Sequence, residues 1–305
     1  MVVANDESHY EKEAPLETVL NIDAAKVFYD GLLTDPRLDH AEGLVIHRDG
    51  SIWCGGELGQ IYRIAPDGSS MEQIASSDGF SQGMAFDKED NLYFCDLKHA
   101  AVMRLDTENG SLEKFADGAE GHGINIANYP AFGAEGRLYV SDSHAFKDPG
   151  PGILRFDPDG SGELWYDEPM NFANGLALSP EGRHLYVAET FGNAIYRIPI
   201  EDNGTAGRRE EVVSLPGVLP DGLAFDTEDN LYVACYEPSQ VLRISPDGMV
   251  ARLIGDEEAH LFCHPTNLAF RGSMLFTTNL GRWHITAVDT EAEGLPLYGG
   301  YGSER

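Results

Sequence analysis

One short pattern recurs six times along the chain and limits the folds that the chain can adopt. In each copy a polar residue opens an apolar run, and a turn rich in Asp, Glu, Asn and Gly separates this run from a second one. A small residue follows the polar one: Gly43, Gly83, Gly123, Gly175, Gly222 and, in the sixth copy, Asn267. The steps between these positions are 40, 40, 52, 47 and 45 residues. Self-similarity at this period is typical of propellers and other repeat folds.

Third and fourth apolar runs complete the period. The third run ends before a Pro-Asp-Gly turn in three of the copies, at 66–68, 158–160 and 246–248. The runs are short and rich in β-branched and aromatic residues, and the turns between them are typical of hairpins. Four strands in each period predict a β-propeller blade. We therefore predict an all-β, six-bladed β-propeller that forms one domain over 1–305, with an all-β sandwich as the alternative.

The sixth period is incomplete, because only a Gly-rich tail follows the run at 284–288. An open sheet edge leaves backbone hydrogen-bonding groups unpaired, and a closed ring of blades removes such edges. We therefore predict that the N-terminal run Lys26–Tyr29 supplies the outer strand of the sixth blade.

The charge of the chain excludes several classes of partner. There are 21 Lys and Arg against 51 Asp and Glu, so the net charge is −30. Phosphate backbones and anionic lipid surfaces would be repelled, and we expect neither a nucleic-acid nor a membrane partner. We also find no apolar window long enough to span a bilayer.

Two further features concern the cell compartment. The stretch Met1–Leu20 is acidic and has no apolar core of the kind found in secretory signals. The four cysteines show no CxxC spacing, and most lie inside apolar runs: Cys54, Cys95, Cys235 and Cys263. We expect free, buried thiols rather than disulfides, and a cytoplasmic location.

The residue before the repeated small one is polar in every copy, yet its identity changes: Glu42, Gln82, His122, Asn174, Asp221 and Thr266. Because the first strand of each blade lines the central channel, these side chains are expected to meet at one mouth of it. Buried acids without partners are costly, so this arrangement predicts a divalent cation. Oxygen ligands favour Ca²⁺, with Mg²⁺ or Mn²⁺ as alternatives, and Zn²⁺ if His122 takes part. A polar plug around trapped water is the other interpretation.

The residues that close the second strands form another candidate layer, in which Asp142 stands out because His144 follows in a long loop. Either Asp142 or Asp221 could act as the base for a metal-bound water, and Asp142 could equally stabilise its loop.

We find no nucleophile elbow, HExxH, P-loop or dinucleotide-binding motif, so the sequence gives little support for covalent or nucleotide chemistry.

Three segments carry a resemblance to a known family: Ala41–Gly43, Ala173–Ala177 and Pro220–Phe225 with the run that follows it. They resemble the gluconolactonase and senescence-marker-protein-30 (regucalcin-like) six-bladed propellers. The resemblance implies a metal-dependent hydrolase of sugar lactones or related esters. It also implies a metal site made of Glu42, Asn174 and Asp221, with Asp221 as general base. In some bacterial lactonases of this group, an Asp at the place of Asp142 is the acid/base.

One departure from this family concerns the third blade, where many members carry Asn-Asp and this chain has His122-Gly123. Either His122 contacts the metal or the substrate, or Asn125 compensates. The candidate substrate-binding residues are His122, Gln82, Asn125, His144 and Thr266. We expect the segments 145–151 and 128–135 to shape the pocket mouth.

The leading functional hypothesis is a metal-dependent lactonase that acts on a small lactone or ester. The alternatives are a phosphotriesterase-like hydrolase, a non-catalytic propeller that binds a small molecule, and a condensing enzyme similar to strictosidine synthase.

Overall fold

The computed structural model of the protein describes residues 16–119 and 121–303. Most of the acidic N-terminal stretch, on which the prediction about secretion depends, lies outside these residues, as do the two ends of the predicted domain. No helix within the described ranges is long and apolar enough to cross a membrane.

The described chain contains 26 β-strands and two short 3₁₀ helices, Ile22–Ala24 and Ala134–Gly136. The first strand is β1 (Ala25–Asp30). Blade 1 follows with β2 (Ala41–Ile46), β3 (Ile52–Gly56), β4 (Gln60–Ile64) and β5 (Met71–Ser76). Blade 2 consists of β6 (Ser81–Phe86), β7 (Asn91–Asp96), β8 (Ala101–Asp106) and β9 (Leu112–Ala116). A small hairpin, β10 (Gly118–Ala119) and β11 (His122–Gly123), connects it to blade 3.

The remaining blades have the same organisation. Blade 3 contains β12 (Ala127–Phe132), β13 (Leu138–Asp142), β14 (Gly150–Phe156) and β15 (Gly162–Met170). Blade 4 contains β16 (Ala173–Leu178), β17 (His184–Glu189), β18 (Ala194–Pro199) and β19 (Glu210–Ser214). Blade 5 contains β20 (Leu219–Phe225), β21 (Leu231–Glu237), β22 (Gln240–Ile244) and β23 (Val250–Gly255). Blade 6 contributes β24 (Pro265–Arg271), β25 (Met274–Asn279) and β26 (His284–Asp289).

The N-terminal strand completes the last blade, as predicted. Strand β1 pairs antiparallel with β26, with Ala25 opposite Val288, and the sheet order is β1-β26-β25-β24. The chain before β1 also runs beside blade 5, where the Val19 amide donates to the Arg252 carbonyl at 2.9 Å. The six-bladed propeller prediction is confirmed, and the ring of blades is closed by backbone hydrogen bonds.

Apolar side chains pack between neighbouring blades rather than in one central core. One recurring contact places an aromatic side chain of a second strand edge-on against the phenylalanine at the end of the next inner strand or one residue before it. The ring-centroid distances are 5.6 Å for Trp53–Phe86, 5.1 Å for Tyr93–Phe132, 4.9 Å for Tyr186–Phe225 and 5.0 Å for Tyr232–Phe270. Edge-to-face contacts of this kind stabilise aromatic pairs beyond their buried area. They explain why the aromatic positions recur with the period of the sequence.

The repeated glycines let neighbouring inner strands approach closely. A Cβ on Gly43 would lie 1.9 Å from the Gln82 carbonyl oxygen, and one on Gly175 would lie 2.1 Å from that of Asp221. No larger residue fits at such a separation. The glycines therefore bring the polar residues that precede them toward one axis.

The C-terminal segment crosses the opposite end of the channel. The Leu295 amide donates to the Phe225 carbonyl at 2.9 Å, and the Tyr301 amide donates to the Ile46 carbonyl at 3.0 Å. An apolar cavity of about 270 Å³ lies there, between the far ends of the inner strands and this segment. Its lining includes Leu297 and Tyr298. The polar residues that begin the inner strands do not line it, so this cavity is separate from the candidate site.

The four cysteines are buried and carry free thiols, in agreement with the prediction. Burial raises the pKa of the Cys54 thiol to about 12, so this side chain stays neutral and unreactive at ordinary pH.

Candidate metal centre and active site

Six polar side chains lie at one end of the channel, near the start of the inner strands. We call this set the axial ring, and it consists of Glu42, Gln82, Asn128, Asn174, Asp221 and Thr266. All six side chains are buried. Five of them are residues that the sequence places at the channel mouth, and the structure brings these five together.

The third member of the ring is Asn128, and the prediction that His122 occupies this position is wrong. In blade 3 the inner strand is β12, where Ala127 pairs with Asp142 just as Ala41 pairs with Gly56 in blade 1. His122 lies on the hairpin strand β11 instead.

The cause of this error is local. Tyr129 stands where other blades have a small residue. The hairpin sequence His122-Gly123 has the same order, a polar residue followed by glycine, as the repeated pair. A better signal was available, because 14 residues separate Glu42 from Gly56 and also Asn128 from Asp142. Of the segment 128–135, Asn128 lies at the pocket mouth, whereas β12 carries the chain on to Phe132, which lines the apolar cavity at the opposite end.

Five members of the axial ring carry a buried side-chain oxygen that has no hydrogen-bond partner within residues 16–119 and 121–303. These atoms are Glu42 Oε2, Gln82 Oε1, Asn128 Oδ1, Asn174 Oδ1 and Asp221 Oδ1. Buried acceptors are almost always paired, so five on one axis need an explanation. A hard cation such as Ca²⁺ binds six to eight oxygens and would satisfy them, so the residues present fit a metal.

Thr266 differs from the other five. Its hydroxyl donates to the Glu42 carbonyl at 2.9 Å, and Thr278 donates to the same oxygen at 2.7 Å. The Thr266 side chain therefore fixes the backbone of Glu42 rather than offering a free group to the channel.

Two carboxyl groups of the ring influence each other. Burial raises the pKa of Glu42 to about 8. Burial, and then the negative charge of Glu42, raise the pKa of Asp221 well above its usual value, and a contact with the Asn174 amide acts in the opposite direction. Like charges in a dry site disfavour double ionisation, whereas a divalent cation between them favours it.

Asp142 is buried and its carboxylate is occupied by backbone amides. Oδ1 accepts from the Ile126 and His144 amides, both at 2.8 Å, and Oδ2 accepts from the Asn125 amide at 2.9 Å. His122 Nε2 lies 3.9 Å from Oδ2. Asp142 therefore fastens the loop before β12 to the loop after β13, which supports its interpretation as a loop-stabilising carboxylate.

Asn125 and His144 belong to the same cluster as Asp142. The Asn125 side-chain amide lies 3.0 Å from His144 Nδ1. The His144 ring packs against Gly150, where a Cβ would lie 2.2 Å from the ring. The structure thus groups His122, Asn125, Asp142 and His144 beside blade 3, next to the axial ring but not in it.

Three phenylalanines form an apolar patch at the same end of the channel. Phe172 directly precedes β16, Phe191 follows β17, and Phe146 lies in the loop after Asp142. Their ring centroids are 4.9 to 6.0 Å apart. Phe146 is 69% exposed, so the loop at 145–151 presents an aromatic side chain near the mouth.

Comparisons with known proteins agree with this architecture. The family model described as SMP-30/Gluconolactonase/LRE-like region matches residues 40–279. A 6-deoxy-6-sulfogluconolactonase of Pseudomonas putida is 27% identical over 229 residues, which is 74% of this chain and 76% of the relative. Lactonase drp35 of Staphylococcus aureus is 26% identical over 254 residues, 78% of each chain.

Solved structures show the same fold. A gluconolactonase of Xanthomonas campestris superposes with a TM-score of 0.74 at 19% identity, covering 91% of this chain and 95% of its own. The calcium-binding protein regucalcin of Agrobacterium tumefaciens gives a TM-score of 0.72 at 17% identity, covering 95% and 100%.

Proposed function

The chain belongs to the SMP-30/gluconolactonase/LRE-like family, and we propose on that basis that it is a lactonase, which opens a small lactone or related ester by hydrolysis. The observation that carries the proposal is the set of axial-ring oxygens that lack a hydrogen-bond partner among the described residues, two of them on carboxyl groups. Relatives named as lactonases support the reaction class.

The cofactor that we propose is one divalent metal ion, with Ca²⁺ preferred and Zn²⁺, Mn²⁺ or Mg²⁺ as alternatives. Glu42, Asn174 and Asp221 would hold it, and Asn128 would be a fourth ligand because its side-chain oxygen belongs to the same set. A metal in this place supplies Lewis-acid polarisation of a carbonyl oxygen.

In the proposed reaction, Asp221 is the general base. The oxygen of a water adds to the lactone carbonyl carbon while its proton passes to the Asp221 carboxylate. The ring C–O bond then breaks, and the proton passes on to the leaving alkoxide, so that the product is a hydroxy acid. We assign Asp142 a positioning role, because its two oxygens already accept three backbone amides.

The cluster beside blade 3 and the ring member Gln82 are the proposed contacts for the substrate. The cluster brings together Asn125, His122 and His144. Gln82 contributes Oε1, one of the five axial-ring oxygens described above. We propose that Thr266 supports the metal site through Glu42 instead of binding the substrate.

The deciding experiment is a pH-indicator assay against aldonolactones, simple γ- and δ-lactones and aryl esters. Each substrate is tested with chelator and with added Ca²⁺, Mn²⁺ or Zn²⁺. We expect lactone hydrolysis that chelator removes and one of these metals restores. Hydrolysis of a phosphotriester alone would favour the phosphotriesterase-like alternative, and ligand binding without turnover would favour a binding propeller.

A further inference from the structure

We propose that Ser143 and Thr190 are positioning residues that turn the side-chain oxygens of Asn128 and Asn174 toward the metal site. This inference rests on the proposed metal-dependent function and adds two residues that do not themselves reach the axis.

The two hydroxyls make the same pair of contacts in successive blades. In blade 3 the Asn128 amide nitrogen donates to Ser143 Oγ at 3.0 Å, and Ser143 donates to the Ala173 carbonyl at 2.7 Å. In blade 4 the Asn174 amide nitrogen donates to Thr190 Oγ1 at 3.1 Å, which donates to the Pro220 carbonyl at 2.8 Å. Both hydroxyl side chains are buried.

These contacts determine which end of each amide faces the channel. A hydroxyl has one hydrogen to donate, and here a backbone carbonyl, which can only accept, receives it. The hydroxyl oxygen can then only accept from the asparagine, so the amide nitrogen must face it. The amide oxygen is left on the other side, where Asn128 Oδ1 and Asn174 Oδ1 have no hydrogen-bond partner in the described part of the chain. A hard cation binds the oxygen of an asparagine amide and not its nitrogen.

The distribution of hydroxyls among the blades supports this role. Ser143 directly follows Asp142, and Thr190 directly follows Glu189, which are the residues that close the second strands of blades 3 and 4. The four blades without an asparagine in the axial ring have neither serine nor threonine at this position. Their residues are Glu57, Leu97, Tyr236 and Leu280.

The same hydrogen bonds connect three successive ring members. Ala173 and Pro220, whose carbonyls accept from the hydroxyls, directly precede Asn174 and Asp221. Ser143 therefore fixes the amide of one ring member and the backbone of the next, and Thr190 does the same one blade further on. Partners of this kind orient metal ligands, and their loss typically costs about 10- to 100-fold in metal affinity.

The test compares Thr190→Val, Thr190→Ser and Ser143→Ala in the full chain. Calorimetry measures the Kd for Ca²⁺, and thermal melts in chelator measure stability. Thr277→Val is the matched control, because Thr277 is buried on β25 and its hydroxyl has no partner within residues 16–119 and 121–303.

We expect Thr190→Val and Ser143→Ala to weaken Ca²⁺ binding by about 10- to 100-fold, and Thr190→Ser and Thr277→Val to leave it within about threefold. Lower melting temperatures for Thr190→Val and Ser143→Ala with an unchanged Kd would show a merely structural role and overturn the inference. If the wild type binds none of Ca²⁺, Mn²⁺ and Zn²⁺, the proposed function fails together with it. Binding by the wild type that both hydroxyl-deficient variants retain overturns the positioning role alone.

Discussion

The carboxyl groups of Glu42 and Asp221 lie buried in the same end of the channel, where burial and then the charge of Glu42 raise the pKa of Asp221. These residues come from blades 1 and 5, so only the closed ring of blades brings them together. The pair cannot be fully ionised at neutral pH unless a cation compensates it. A bound cation would therefore affect stability as well as activity.

The first prediction concerns stability in excess chelator, which we expect to fall as pH rises. Glu42 keeps its proton in the folded state up to a pKa of about 8, whereas the unfolded state loses it near 4.5. Between these values the unfolded state binds fewer protons, so the free energy of unfolding decreases with increasing pH. Calorimetric melts between these pH values measure how stability changes with pH. The stability of Glu42→Gln should change less with pH than that of the wild type. Identical profiles for the two proteins would contradict the prediction.

Asp221→Asn should remove both metal binding and turnover. We expect kcat to fall by at least about 100-fold, since the variant loses the proposed base and one anionic ligand. Its melting temperature in chelator should not fall, because the amide, unlike the carboxyl group, never becomes a buried charge. Asp159→Asn, in an exposed hairpin turn, is the control. An Asp221→Asn enzyme with full turnover in chelator would show that the site is elsewhere.

Because Asn128, and not His122, is the axial-ring member in blade 3, substitutions of these two residues should have different effects. Asn128→Ala should weaken metal binding about as much as Asn174→Ala, because both amides contribute a side-chain oxygen to the axial ring. His122→Ala should leave the metal Kd unchanged and raise KM. Calorimetric titration and steady-state kinetics separate these effects. The reverse result, with His122→Ala losing the metal, would place His122 in the ring after all.

Asp142→Asn tests whether this carboxylate stabilises its loops or acts as the general base. An asparagine keeps one acceptor oxygen and leaves at least one of the three backbone amides without its partner, so we expect a destabilisation of about 1–3 kcal/mol. KM should rise, and kcat should fall less than in Asp221→Asn. Denaturant unfolding measures the stability, and steady-state kinetics measure KM and kcat. A large loss of kcat at unchanged stability would identify Asp142 as the base.

Tyr29→Ala tests the closure of the ring of blades. Tyr29 on β1 packs in a buried cluster with Leu38 and Ile285, so its removal should cost about 3–5 kcal/mol. Lys26→Ala on the same strand, at an exposed position, is the control and should be nearly neutral. Denaturant melts compare the two. Equal stabilities would mean that β1 contributes little to the closed propeller.

The period of the sequence was sufficient to predict the blades, because strand pairing and blade packing repeat the same local contacts. It also predicted β1, since an incomplete last period requires a strand from elsewhere. Asn128 was missed because Tyr129 replaces the small residue that marks the other blades.

The orientation of the ring amides could not be read from the repeat either. It depends on Ser143 and Thr190, whose acceptors, Ala173 and Pro220, are each 30 residues further along the chain. The repeat does not show which polar groups of neighbouring blades hydrogen-bond to each other. The pattern could locate candidate ligands, but not the groups that orient them.

The C-terminal segment that crosses the far end of the channel also has a consequence for the passage of molecules. With Leu297 and Tyr298 over a mainly apolar cavity, that end is unfavourable for the passage of a hydrated ion or a charged hydroxy acid. We therefore expect reactant, product and cation to pass through the other end of the channel, on the side of Phe146. If they share that opening, product release must precede the entry of the next reactant.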